Sequence, residues 1–230
     1  MKEQRIKATI ESIEPLTNCI MQLVLKPEVY VDYQAGQYLQ IILDEHQLSY
    51  SIANAPLGSH KYELHIRHCR ENPLNQTLFA RIKTQGEATL MLPFGDCSLD
   101  QLDEKKPILF IAGGTGFAPV HAMMEQLLAQ DDPRIFELYW GVKTPADLYM
   151  DEKVKQWESH IQHFKYYSKC SEGTKDSLAS LVMQHHPDDL ADWQIVISGP
   201  FDMVYHTRDV LVAHGARSEV MFSDAFSFER

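Results

Sequence analysis

The sharpest chemical signal in the sequence is Ile111-Ala112-Gly113-Gly114-Thr115-Gly116-Phe117-Ala118-Pro119, a glycine turn between a continuous apolar run and an amphipathic one. Glycines let a backbone approach a phosphate closely, and the helix that follows offers unpaired N–H groups at the positive end of its dipole. The chemistry implied is the holding of an anion. No Lys-Ser or Lys-Thr follows, so this is not a nucleoside-triphosphate loop, and Ala118-Pro119 after Gly116 departs from G-x-G-x-x-G. The same glycines would also serve a tight strand-to-helix turn that binds nothing. A second turn, Ile197-Ser198-Gly199-Pro200-Phe201, again follows an apolar run and opens a helix. Two such turns at strand carboxyl ends converge on one crevice, as a dinucleotide requires. After a third run, Leu138-Tyr139-Trp140-Gly141-Val142, stands Lys143, where a dinucleotide fold often sets an acid for the ribose hydroxyls. Lys143 either accepts a 2′-phosphate or is simply solvated.

Histidine and cysteine spacing offers no metal set. His60, His65, His68 and Cys69 fall within ten residues, but on a strand His65 and His68 face opposite sides. Cys19, Cys69, Cys97 and Cys170 lie 50, 28 and 73 positions apart, unlike C-x-x-C pairs or the clustered cysteines of a ferredoxin. Any iron–sulfur centre would sit on another protein. There is no Gly-x-Ser-x-Gly serine to support a hydrolytic triad.

Two kinds of element must position these residues. Up to about residue 95 the chain predicts short strands over 6–13, 19–25, 38–43, 62–67 and 88–92, with one short helix over 74–82. Residues 62–67 alternate strictly, so Tyr62, Leu64 and Ile66 share a buried face while Glu63, His65 and Arg67 share a wet one. Many short strands with few helices suggest an antiparallel barrel or sandwich. The charge-rich segment 96–106 divides the chain into a unit over 1–98 and another over 99–230. Beyond it, strands over 107–112, 135–140, 164–170, 194–197 and 219–222 alternate with helices over 117–130, 151–160, 177–185 and 201–214. That alternation implies a parallel sheet covered on both faces, with its ligands at the carboxyl ends of the strands.

Composition agrees with two globular units: 230 residues, 44% hydrophobic and 23% charged. A net charge of −11 repels polyanions, so nucleic acid and anionic membrane are poor partners, and an anionic cofactor must be gripped locally. The N-terminal residues alternate in charge with no secretory apolar stretch, and no run approaches the ~20 apolar residues of a membrane span, which points to the cytoplasm.

Gly36-Gln37-Tyr38, Tyr50-Ser51, the 112–119 turn, Tyr139-Trp140-Gly141, Ser198-Gly199-Pro200 and Ser223-Asp224-Ala225-Phe226 stand in an order and spacing that resembles the ferredoxin-NADP reductase superfamily. Within it the chain most resembles the single-chain NAD(P)H:flavin oxidoreductases, including those that supply bacterial luciferase. The resemblance implies a fold with an antiparallel flavin-binding β-barrel followed by a parallel-sheet α/β nicotinamide-binding domain. It implies an oxidoreductase passing hydride from NADH or NADPH to riboflavin, FMN or FAD, with a flavin-dependent acceptor enzyme as partner. It places Tyr50 and Ser51 beside the flavin ring, the Ser51 hydroxyl near N5, and Gly113, Gly114, Thr115, Gly116 and Phe117 at the nicotinamide diphosphate. Ser198, Gly199 and Pro200 would lie near the nicotinamide half, and Asp224 and Phe226 would close the flavin pocket. By themselves, Ser51 would be a strand serine bonded to backbone and Tyr50 a packing aromatic.

The departures from that pattern carry information too. Relatives with resident FAD read Arg-x-Tyr-Ser where this chain reads Leu48-Ser49-Tyr50-Ser51, and Gly-x-x-Ser where it reads Asn72-Pro73-Leu74-Asn75. Each lost charged hydrogen bond to phosphate costs ~1.5–3 kcal/mol, a ten- to more than hundredfold loss of affinity, so the flavin is expected to diffuse as a substrate. Arg67 and Arg70 are nearby cations that would restore it. The alternatives are a subunit that keeps its flavin and passes single electrons to an iron–sulfur or oxygenase partner, and a non-catalytic nucleotide-binding module.

Overall fold

The structure, a computed structural model, describes residues 2–68, 72–172 and 176–228. Six strands, β1 (Gln4–Pro15), β2 (Ile20–Pro27), β3 (Tyr38–Leu43), β4 (His46–Ser51), β5 (Tyr62–Arg67) and β6 (Glu87–Phe94), form an antiparallel half-barrel in the order β4-β3-β6-β1-β2-β5. Just past β4, Ile52 bridges Leu64 of β5 and draws the two edges together. The inside is filled by period-two positions such as Leu23 and Leu25, Leu39 and Ile41, Leu64 and Ile66, Leu90 and Leu92. Helix α1 (Pro73–Gln85) closes the barrel end with Leu78, Phe79 and Ile82. It runs longer than its apolar spacing predicts because Pro73 pre-sets its first turn and Gly86, at φ +69, supplies the left-handed cap.

The second sheet is entirely parallel: β7 (Ile108–Gly113), β8 (Phe136–Val142), β9 (Phe164–Cys170), β10 (Gln194–Ser198) and β11 (Met221–Phe222), in the order β11-β10-β7-β8-β9. The alternation of Ile108, Phe110 and Ala112 against Leu109 and Ile111 feeds two cores. The first set packs under α2 (Phe117–Ala129) and α3 (Asp151–His160), the second under α4 (Leu178–His185) and α5 (Phe201–Ala213). Burial on both faces explains why these strands read as unbroken apolar runs. The last strand is shorter than its sequence suggests, because residues 218–220 coil into a 3-10 turn.

One expectation is corrected. On the Glu63–His65–Arg67 face of β5 the central residue is not wet: His65 is only 5% exposed, while the Arg67 side chain stays 41% exposed. Tyr149 from the second lobe stands edge-on to its ring at 5.1 Å, and His121 of α2 approaches at 5.8 Å. The alternating pattern sorts the two sides correctly, and solvent is shut out at His65 because the second lobe covers it. Among the described residues no helix is long and apolar enough to cross a membrane, and no His/Cys/Asp/Glu group has the arrangement of a metal site.

Candidate active site

The glycine turn sits at the carboxyl end of β7, in the centre of the parallel sheet. A Cβ on Gly113 would lie 2.6 Å from Met203 Cε, one on Gly116 would lie 2.7 Å from Gly199 Cα and overlap the Ser198 carbonyl, and one on Gly199 would lie 3.1 Å from Gly113 Cα. The two turns therefore pack backbone against backbone, which no other residue type permits. Gly114 differs. At φ +56 its missing side chain would point into open space, where the nearest atom is Arg67 Nη2 at 3.6 Å. The indole Nε1 of Trp140 donates to the Gly114 carbonyl at 3.0 Å, and Phe117 stacks on that indole at 4.0 Å. Phe117 is thus wholly buried beneath the turn and is no part of the cleft wall.

The turn opens onto a cleft of 730 Å³, with Ser198, Gly199 and Pro200 beside it and Tyr50, Ser51 and Arg67 across from it on the barrel. Lys143 lies exposed on the cleft at the end of β8, and Lys169 joins it from the end of β9. Strand order puts this lysine pair on the opposite side of the glycine turn from Ser198. Sequence reasoning did not single out Lys169, although the rule that marked Lys143, a position at a strand's carboxyl end, applies equally to it.

A second cavity of 390 Å³ adjoins the first and shares Ser49, Tyr50, Ser51, Ser198 and Gly199 with it. Its other walls include Tyr38, Cys97, Phe201 and Asp224. Among the described residues Asp224 is its only charged lining group. Its carboxylate accepts from the Cys97 amide at 3.1 Å, and burial, which outweighs the Cys97 and Asp96 N–H groups, pushes its pKa up to about 6. Burial raises the Tyr50 phenol above its ordinary value. That hydroxyl donates to Asn75 Oδ1 at 2.7 Å, while Asn75 Nδ2 donates to the Arg67 carbonyl at 2.8 Å. Asn72 Oδ1 accepts the Asn75 amide at 3.2 Å, so the N-terminus of α1 is capped by its own residues.

Two predicted residues fall elsewhere. Phe226 lines neither cavity and packs half-buried against the core, its ring 6.2 Å from Tyr205 and 5.4 Å from the Arg208 guanidinium carbon. Arg67 lies in the larger cleft beside Gly114 and is absent from the smaller cavity, 3.6 Å from Asp147 Oδ1. Arg70 and Cys69 lie outside the described residues.

Residues 110–209 match the model of the oxidoreductase NAD-binding domain. The solved ferredoxin NADP+ reductase of Neisseria gonorrhoeae, with bound FAD and NADP, has the same fold: TM-score 0.77 at 16% identity, covering 96% of this chain and 98% of that one. Half-barrel, parallel sheet and the glycine-lined cleft together define a ferredoxin reductase-like oxidoreductase fold. The NAD(P)H-flavin reductase of Vibrio harveyi is 30% identical over 235 residues, which span 97% of this chain and 99% of that relative. The CDP-6-deoxy-L-threo-D-glycero-4-hexulose-3-dehydrase reductase of Yersinia pestis is 32% identical over 212 residues, 90% of this chain but only 64% of that relative's length. The chain belongs to the NAD(P)H-flavin reductase family.

Proposed function

We propose that the protein uses NADH or NADPH to reduce a flavin that enters and leaves as a substrate, in a cytoplasmic setting where Cys19, Cys97 and Cys170 stay free thiols. Residues 1–98 then act as the flavin unit and 99–230 as the nicotinamide unit. Loss of one hydride from nicotinamide C4 to flavin N5 would turn NAD(P)H into NAD(P)+, and one proton drawn from solvent would complete the dihydroflavin. Two features support the fit of these ligands: a glycine turn whose only open position is Gly114, and a second cavity of a size suited to a ring system.

In this reading the Gly113–Gly116 amides and the positive end of α2 hold the dinucleotide diphosphate, Arg67 adds a cation from the barrel side, and Lys143 with Lys169 faces the adenosine end. Ser198, Gly199 and Pro200 flank the nicotinamide. Tyr50 and Ser51, which line both cavities, bring the two rings face to face with reacting atoms ~3–3.5 Å apart and water displaced. Ser51 orients the flavin edge, and Asp224 holds a proton at the flavin cavity.

The observation that carries a diffusing flavin is the absence of any described cation on the flavin cavity, together with the self-capped α1. Initial rates test it. NADH or NADPH should be consumed only after riboflavin, FMN or FAD is added, with saturation in each. In the same assay the rate should fall as pH rises through about 6, because Asp224 keeps its proton below that value and loses it above. Asp224→Asn should flatten that limb; an inflection that survives the substitution would remove Asp224 from proton supply. The Yersinia relative's name favours a second reading, a reductase that feeds a separate partner enzyme. A yellow protein that consumes NADH without added flavin and reduces only a partner would establish it.

A further inference from the structure

His121 lies in the first turns of α2, 1% exposed, yet the chemistry above leaves it idle. Its Nε2 is 2.8 Å from Lys153 Nζ, and its Nδ1 is 2.6 Å from the carbonyl oxygen of Ala53. An ammonium only donates and a carbonyl only accepts, so the two partners select one neutral tautomer, with the proton on Nδ1. Burial pushes the imidazole down to about 4, with Lys153 acting the same way against the pull of Glu125. Glu125 completes the arrangement: it accepts from Lys153 at 3.0 Å and, through its other oxygen, from the Ala55 amide at 3.2 Å.

Ala53 is two residues beyond Ser51, and the chain between them has no slack. The Ile52 amide donates to the Gln37 carbonyl at 3.0 Å and the Ala53 amide to the Glu63 carbonyl at 2.7 Å. On its other side the His121 ring meets Phe117 at 5.6 Å. Phe117 stacks on Trp140, whose indole holds the Gly114 carbonyl. One contiguous path thus joins the strand that carries Ser51 to the turn that carries Gly114, and His121 is the point where it crosses between lobes.

We propose that His121 is a positioning residue for hydride transfer: its Nδ1–H···O=C bond to Ala53 fixes the separation between the Tyr50–Ser51 strand and the glycine turn, and hence between the two rings. The assignment rests on the flavin-reductase reading. Near-attack geometry is sensitive on the ångström scale, so loosening this tie costs rate without costing dinucleotide affinity.

His121→Leu removes both hydrogen bonds at similar volume, whereas His121→Asn keeps a donor at the Nδ1 position. In single-turnover kinetics His121→Leu should lower the hydride-transfer rate constant by roughly ten- to a hundredfold while the KM for NADH stays within about twofold, and His121→Asn should recover most of the loss. In the ligand-free protein, amide hydrogen exchange should quicken together at residues 51–55 and 113–117 in the leucine variant while β2 stays protected. A folded His121→Leu with a wild-type rate constant would overturn the assignment, as would an asparagine variant that folds and recovers nothing; if the leucine variant fails to fold, the asparagine variant decides. Wild-type protein that consumed no NADH with any flavin would instead overturn the underlying function.

Discussion

Replacing Gly114 with Val is expected to raise the KM for NADH by one to two orders of magnitude, as loss of ~1.4–2.8 kcal/mol of binding requires, and to leave the barrel folded. The reason is local. At φ +56 a branched side chain costs ~1–2 kcal/mol of backbone strain, and its methyl groups project into the cleft, where only the tip of Arg67 stands within 4 Å. The site is blocked while the core is untouched. Gly116→Ala is the contrast: its Cβ would overlap the Ser198 backbone, so that variant should lose thermal stability as well as activity. Steady-state kinetics and a melting curve on both variants separate the outcomes. A Gly114→Val protein with wild-type KM would show that the diphosphate does not lie on this turn.

Ser51→Ala is expected to lower the hydride-transfer rate constant by roughly ten- to a hundredfold, at or below the usual cost of deleting one preorganised donor at a reacting atom. Ser51 ends β4, paired with Tyr38 of β3, so its backbone is held by the sheet and removing the hydroxyl leaves no collapse to confuse the reading. On the proposed reading the nicotinamide diphosphate is gripped from the other lobe, so KM for NADH should stay close to wild type. Single-turnover mixing with saturating NADH reads the constant directly, and an unchanged value would take the Ser51 hydroxyl out of the mechanism.

Local patterning made much of this fold legible. The unbroken apolar runs of β7 and β10 announce a sheet covered on both faces, and the glycines after them announce where the strands end against a helix. The 62–67 alternation correctly sorted Tyr62, Leu64 and Ile66 to one side. What one strand cannot encode is its distant neighbour: His65 reads as a wet residue until Tyr149, 84 positions later, is laid over it. Phe117 and Phe226 stand off the cavity walls for the same reason. Both sit inside motifs that the resemblance assigns to ligands, but the stacking of Phe117 on Trp140 and the tilted contact of Phe226 with Tyr205 are decided by packing that the motif does not contain. Arg67 shows the converse. Its proximity in sequence to the expected flavin phosphate site suggests a flavin contact, while the direction of its side chain at the end of β5 brings it to the larger cleft beside the glycine turn.

The most direct test is a crystal structure of the protein soaked with NAD+ and a flavin together. The account predicts the pyridine and isoalloxazine rings stacked between Ser51 and Gly199, with the diphosphate against the Gly114 amide and Arg67. Electron density that put either ring outside the joined cavities, or the diphosphate away from the glycine turn, would contradict it.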